Sequence, residues 1–212
     1  MAKCVHLTSV HSPGDVRIFH KQCRSLAAAG HDVVLIAPAD ADAAVDGVRL
    51  RAVAAETHRL KRMTATCWCV LRAALAEDAD LYHFHDPELI PVGLWLRLRG
   101  KQVIYDVHED VPKQILAKHW LPRPIRSAAA RIFALLEETS ERAWSGIVTA
   151  TPPIAARFAN PRTIDVNNYS FREQPDDADQ PGALLASPVY DIAYVGAIAT
   201  TRGVMELLAA AD

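Results

Sequence analysis

The chain holds 212 residues, half of them apolar, with a formal net charge of −2. That length can bury one sizeable core and is slightly long for a single α/β domain. The near-neutral charge speaks against a nucleic-acid binder, which carries a basic excess. No secretory pattern opens the chain, because His6, Thr8 and Ser9 interrupt any apolar run, and the apolar stretch 89–98 is too short to span a bilayer.

In chain order, 4–10 reads as a first strand and 17–29 as a helix closed by Gly30. Strands follow at 32–37 and 48–53, then a long helix at 58–76. Further strands at 81–84, 102–106, 146–149 and 163–166 alternate with helices at 88–99, 124–143 and 153–159. The alternation implies βαβ units and a parallel sheet covered on both faces. Right-handed crossovers favour a doubly wound, Rossmann-like α/β order, in which the first strand sits between the second and the fourth.

Residues 1–167 form one domain in this reading. The stretch 168–188 holds three prolines with Asp176, Asp177 and Asp179 and reads as a linker. Residues 189–212 then supply a strand (190–195), a glycine-bounded turn (196–203) and a helix (204–211). A lone βα unit cannot bury its own faces, so the chain is expected to stop inside a truncated second domain. Cys4, Cys23, Cys67 and Cys69 read as reduced thiols of a cytoplasmic protein, since the C-x-C at 67–69 has no second pair to complete a zinc site.

In an open parallel sheet, ligands bind beyond the carboxyl ends of the strands where the order reverses. Three polar loops fall there. After the first strand, Pro13 and Gly14 make a turn, and the next helix offers N–H groups to an anion, unless Asp15 simply caps it. Arg17 stands beside it. After the strand at 81–84, His85 lies at the tip, with Asp86 at the N-cap and Pro87 at N1 of a helix; His83 shares the strand face with His85 and suits a packed core. After the strand at 102–106, Asp106, Glu109 and Asp110 surround His108, and a carboxylate beside an imidazole fixes its tautomer. A site built from His85, Asp86, His108 and Glu109 suits sugar hydroxyls. A metal reading of the H-x-H-D run is open but lacks further ligands.

The runs VHLTSVHSPGDVRIFHKQCRSLAAAGHDVVLIAP, YHFHDPELIPVGLWLRLRGKQVIYDVHEDVPKQIL and GIVTATPPIAARF resemble the N-terminal domain of GT-B-fold glycosyltransferases of family 4. YDIAYVGAIATTRGVMELL resembles the opening of that family's C-terminal domain. The resemblance implies a retaining transferase that uses a nucleotide-diphosphate sugar without a metal or other cofactor, and a glycan or lipid-linked acceptor on the N-terminal domain. It implies that His108 reaches the transferred sugar, that His85 and Asp86 are the family's HD pair, and that the loop with Asp15 and Arg17 replaces a glycine-rich one. Gly196, Arg202 and Gly203 match the phosphate-binding start of the second domain. Ala197 departs from the arginine of many relatives, and an acidic segment of the second domain is missing, so the isolated chain is expected to be inactive. The alternatives are a non-catalytic sugar- or nucleotide-binding half that pairs with a separate partner, and a GT-B-shaped epimerase. Residues 119–126, with Arg59, Lys61 and Arg62, mix aromatic and basic character, which raises peripheral contact with the inner face of the cell membrane against an ordinary solvated helix end.

Overall fold

The computed structural model describes residues 1–56, 58, 61–169 and 203–211. The chain divides into two units, Met1–Tyr169 and Ser170–Asp212. Most of the expected linker, the strand at 190–195, Gly196, Ala197 and Arg202 lie outside the described residues.

The first unit is an eight-stranded sheet. Its strands are β1 (Lys3–Leu7), β2 (Asp32–Pro38), β3 (Ala43–Val45), β4 (Val48–Val53), β5 (Leu81–Phe84), β6 (Gln102–Val107), β7 (Gly146–Thr149) and β8 (Thr163–Asp165). Their order is β3-β4-β2-β1-β5-β6-β7-β8, and all pairs are parallel except β3–β4. The expected Rossmann-like order is therefore the observed one, with the direction of winding reversing between β1 and β5. The sequence reading lacked β3. It folds back through Asp46 and Gly47, both at positive φ (52° and 77°), the backbone that a two-residue type I′ hairpin requires.

The helices are α1 (Arg24–Ala28), α2 (Cys67–Glu77), α3 (Ile90–Leu98), α4 (Val111–Leu116), α5 (Arg123–Ser140) and α6 (Pro152–Ala155). The expected single helix at 17–29 is in fact a π-helical stretch, Val16–Cys23, that continues into α1. A second π-helical stretch, Arg62–Thr66, leads into α2. The helix α4 was not expected. Asp110 starts it by accepting from the Lys113 N–H, and Pro112 fits its first turn, where no N–H partner is needed. In the second unit, α7 (Val204–Ala211) follows Gly203, which has φ +72° and whose carbonyl accepts from Leu207 N–H.

Strand alternation gives the sheet two unlike faces. Val5, Leu7, Tyr82, Phe84, Tyr105 and Val107 point to one side, where α2 and α3 cover them. Burying each of the aromatic side chains contributes roughly 1.5–3 kcal/mol. The other side carries Val33, Leu35 and Ala37 under Ile18, Phe19 and Cys23, and further along it carries histidines. All four cysteines are free thiols. Burial pushes Cys23 and Cys67 up to about 12. Among the described residues, no helix is long and apolar enough to cross a membrane.

Candidate functional site

His6 on β1 pairs in register with His83 on β5, and Phe84 pairs with Tyr105, so His85 comes level with Asp106 on β6. All four side chains therefore share one face, and His108 follows two residues beyond Asp106. The rings of His6, His83 and His85 lie with centroids 4.8–5.2 Å apart. Asp106 is the hub. Its Oδ2 is 3.3 Å from His85 Nδ1, 3.2 Å from His108 Nε2 and 3.7 Å from His83 Nε2. Arg17 reaches both carboxylate oxygens, at 2.8 and 3.2 Å, and Gln22 donates to Oδ2 at 2.6 Å. The π-helical winding explains why two residues five apart converge on one carboxylate: i→i+5 hydrogen bonding brings such positions onto one face, which an α-helix would separate.

These contacts assign the tautomers in a chain. His85 Nδ1 and His108 Nε2 lie 3.2 Å apart, and with both donating to Asp106, in keeping with its depressed pKa, His85 Nε2 is left to accept from His6 Nδ1–H at 3.0 Å. His6 Nε2 and His83 Nε2 end buried with no hydrogen-bond partner among the described residues. Burial pushes His85 down to about 4 and His83 down to about 3, and holds His6 well below the usual imidazole range. Burial alone would raise Asp106. Hydrogen bonds from His108 and His85 reverse that and hold its carboxyl well below the usual range, and the Arg17 guanidinium acts the same way.

A second carboxylate, Asp86, closes the loop after β1. It stands at the N-cap position of the Pro87–Leu89 turn but makes no side-chain cap bond there. It turns back instead and accepts from Thr8 Oγ1 (2.7 Å) and Ser9 N–H (2.6 Å). This is why β1 ends at Leu7 rather than at residue 10. His11 bridges Asp86 (3.3 Å) and Asp15 (3.2 Å). The hydrogen bond to Asp86 raises its pKa above the usual imidazole value. Its ring lies 5.4 Å from that of His108, which joins the two carboxylate clusters at the carboxyl ends of β1, β5 and β6.

The expected residues thus separate. His85, Asp86 and His108 come together as read. His108 remains partly open, its side chain 16% exposed, while His85 is sealed behind it. Asp15 caps its helix by accepting from Arg17 N–H and Ile18 N–H, so those groups are not available to an anion. Arg17 is buried, with Nη1 donating to the Val166 carbonyl at 2.7 Å. Glu109 is exposed and held by Gln114, away from the histidines. Gly203 lies in the second unit, while Gly196 and Arg202 fall outside the described residues. Asp106, His6, His11 and Gln22 were not singled out as site residues. For Asp106 the signal was its place among three acids; the others gave none. Two sets, His6–His83–His85 and His85–Asp106–His108, have the spacing to hold a cation. In the second, Arg17 already supplies the positive charge at the carboxylate.

A family model described as the glycosyl transferase 4-like domain matches residues 14–169, well over half of the chain. Among solved structures, sucrose-phosphate synthase from Thermosynechococcus elongatus is similar, with a TM-score of 0.58 and 15% sequence identity. The match covers 79% of this chain and 48% of that one, so the chain spans about half that protein's length. At this identity the likeness is one of fold. No curated protein matches the chain by sequence. The Rossmann-like sheet, its polar cluster at the reversal of strand order and the extent of the family match agree, and the chain belongs to the glycosyl transferase 4-like family.

Proposed function

We propose that the chain forms the acceptor-side part of a retaining glycosyltransferase, which moves a sugar from a nucleotide-diphosphate donor to a glycan or lipid-linked acceptor. Family membership supports transfer chemistry. The observation that carries the site reading is His108, partly open at the carboxyl end of β6 with Nε2 held on Asp106. In that tautomer Nδ1, which has no partner among the described residues, accepts a hydrogen bond from a hydroxyl of the transferred sugar. Asp106 positions the ring, and Arg17 and Gln22 position Asp106. His11 and Asp86 line the acceptor side. Gly196, Arg202 and Gly203 take the donor pyrophosphate, where a guanidinium stabilises the charge that develops on the leaving group. No step uses a metal. A peripheral position at the inner face of the cell membrane goes with a lipid-linked acceptor.

The test is a thermal-shift screen of UDP- and GDP-sugars on the complete protein, followed by turnover with the donor that stabilises it. His108→Ala is expected to lower turnover by about 10²–10³-fold, the size typical for loss of one positioned hydrogen-bonding group, with little change in melting temperature. Turnover that survives this substitution would remove His108 from the mechanism. A complete protein that no nucleotide sugar stabilises would remove the transferase reading itself.

A further inference from the structure

We propose that α4, the turn after it and the outer side of α5 form a docking surface for an anionic lipid bilayer. The proposal deepens the peripheral placement above by naming the surface and the lipid chemistry, and it is read out without any transfer activity.

The helix α5 has two apolar sides. Ala130 and Phe133, beside the buried Glu137, turn toward the body of the domain. Ile125, Ala128, Ile132, Leu135 and Leu136, spaced three and four apart, run along the side that faces solvent. Ile125 is 55% exposed, Ile132 68% and Leu135 58%. Trp120, in the turn before the helix, is 72% exposed, and Leu116 at the end of α4 adds to the same stretch. Scattered single apolar residues on a surface need no explanation; a row of this length on one helix does.

Charge selects the occupant. From Val111 to Leu136 the chain carries Lys113, Lys118, Arg123, Arg126 and Arg131 and no acidic residue. Lys118, Arg123 and Arg131 have no ion-pair partner among the described residues, and the Arg126 guanidinium hydrogen-bonds the His119 ring rather than an acid. Of the bordering acids, Asp110 pairs with Lys113 and Arg157, Glu137 is buried against Arg157, and the exposed Glu138 falls just past Leu136, beyond the end of the row. An exposed apolar row with an aromatic at one end and unopposed cations along it is the pattern of a helix lying in a bilayer interface, with its apolar side in the acyl boundary and its cations at anionic headgroups. A second copy of the chain would set the same cations against each other. The surface also begins directly after His108 and Glu109, so a membrane on it lies beside the loop that holds the candidate site.

The experiment is flotation of the full chain with vesicles of phosphatidylcholine alone and with phosphatidylglycerol added, at low and high salt. The expected result is binding to the anionic vesicles, release by salt, and little binding to the neutral ones. Arg123→Glu and Arg131→Glu each weaken binding by at least about fivefold, the effect of one basic residue at such a surface. Ile132→Asp abolishes binding with an unchanged circular dichroism spectrum, whereas Leu98→Asp, at the end of α3, leaves it intact. Equal binding to both vesicles, no binding by the folded chain, or a dimer in solution that Ile132→Asp dissociates would each overturn the proposal. Loss of nucleotide-sugar turnover with vesicle binding retained would count against the transferase reading and not against this surface.

Discussion

Asp106 gathers Arg17, Gln22, His85 and His108 around one carboxylate, so its charge matters more than its shape. Asp106→Asn leaves a buried guanidinium without its counter-charge and is expected to destabilise the fold by about 3 kcal/mol. Urea denaturation measures this, and Arg17→Met in the same chain should restore part of the loss, because the unpaired charge is then gone. The histidines set the response to acid. His83 and His85 sit at about 3 and about 4 when folded, against about 6.5 unfolded. Between those values the unfolded chain takes up protons that the folded chain refuses. Stability therefore falls as pH drops below about 6.5, by up to about tenfold in the unfolding constant per pH unit for each ring. Asp106 adds a loss at lower pH: its depressed carboxyl contributes fully above about 3.9 and stops contributing as pH falls through its folded value. His11, raised by Asp86, has the opposite sign, contributing fully below about 6.5 and losing its effect as pH rises through its folded value. Denaturation midpoints between pH 7.5 and 4.5 check this on the order-of-magnitude scale given; His83→Gln should flatten the acid slope, and an unchanged slope would assign it elsewhere. Much of the residue-level picture was not legible in the sequence. Asp106, Glu109 and Asp110 look alike as letters around one histidine, yet one is a buried hub, one faces solvent and one caps α4. Only the register of β6 against β5 separates them.

Elements were more legible, because hydrophobic alternation and glycine stops are local signals. Gly30 and Gly100, at φ +85° and +77°, end their helices where the sequence placed them. The reading failed where winding or pairing depended on partners. The π-helical turn at Val16–Cys23 has no periodicity of its own and answers to the carboxylate it surrounds. The strand β3 is three residues long, below the reach of pattern. One element carries a sharp packing demand. A Cβ on Gly93, inside α3, would stand 2.8 Å from Phe84 Cε1 and 3.0 Å from Trp144 Cζ3. Those rings are buried, Phe84 stacking on Tyr105 and Trp144 meeting both edge-on, so neither can swing away. Gly93→Ala should lower stability by about 1–3 kcal/mol despite alanine's better helix propensity. A melting temperature equal to or above that of the parent chain would show that the α3–sheet contact is looser than this geometry.

At the scale of the whole first unit, Arg17 ties distant parts of the chain together, since it holds Asp106 on β6 and the carbonyl of Val166 just past β8. Removing residues from 163 onward would leave that guanidinium an acceptor short and strip β7 of its outer neighbour, leaving it at the sheet edge. The expected outcome is a lower melting temperature and concentration-dependent aggregation, seen by light scattering; a shortened chain that stays monodisperse at the parent's melting temperature would contradict it. The two borders of the sheet share one trait. On one side lies β3 and on the other β8, each three residues long. A ribbon that narrows to so few backbone donors at both margins offers a neighbouring molecule almost nothing to zip onto. Sideways growth into filaments is thereby discouraged in the native fold, and encounters with other bodies are left to the helical flanks.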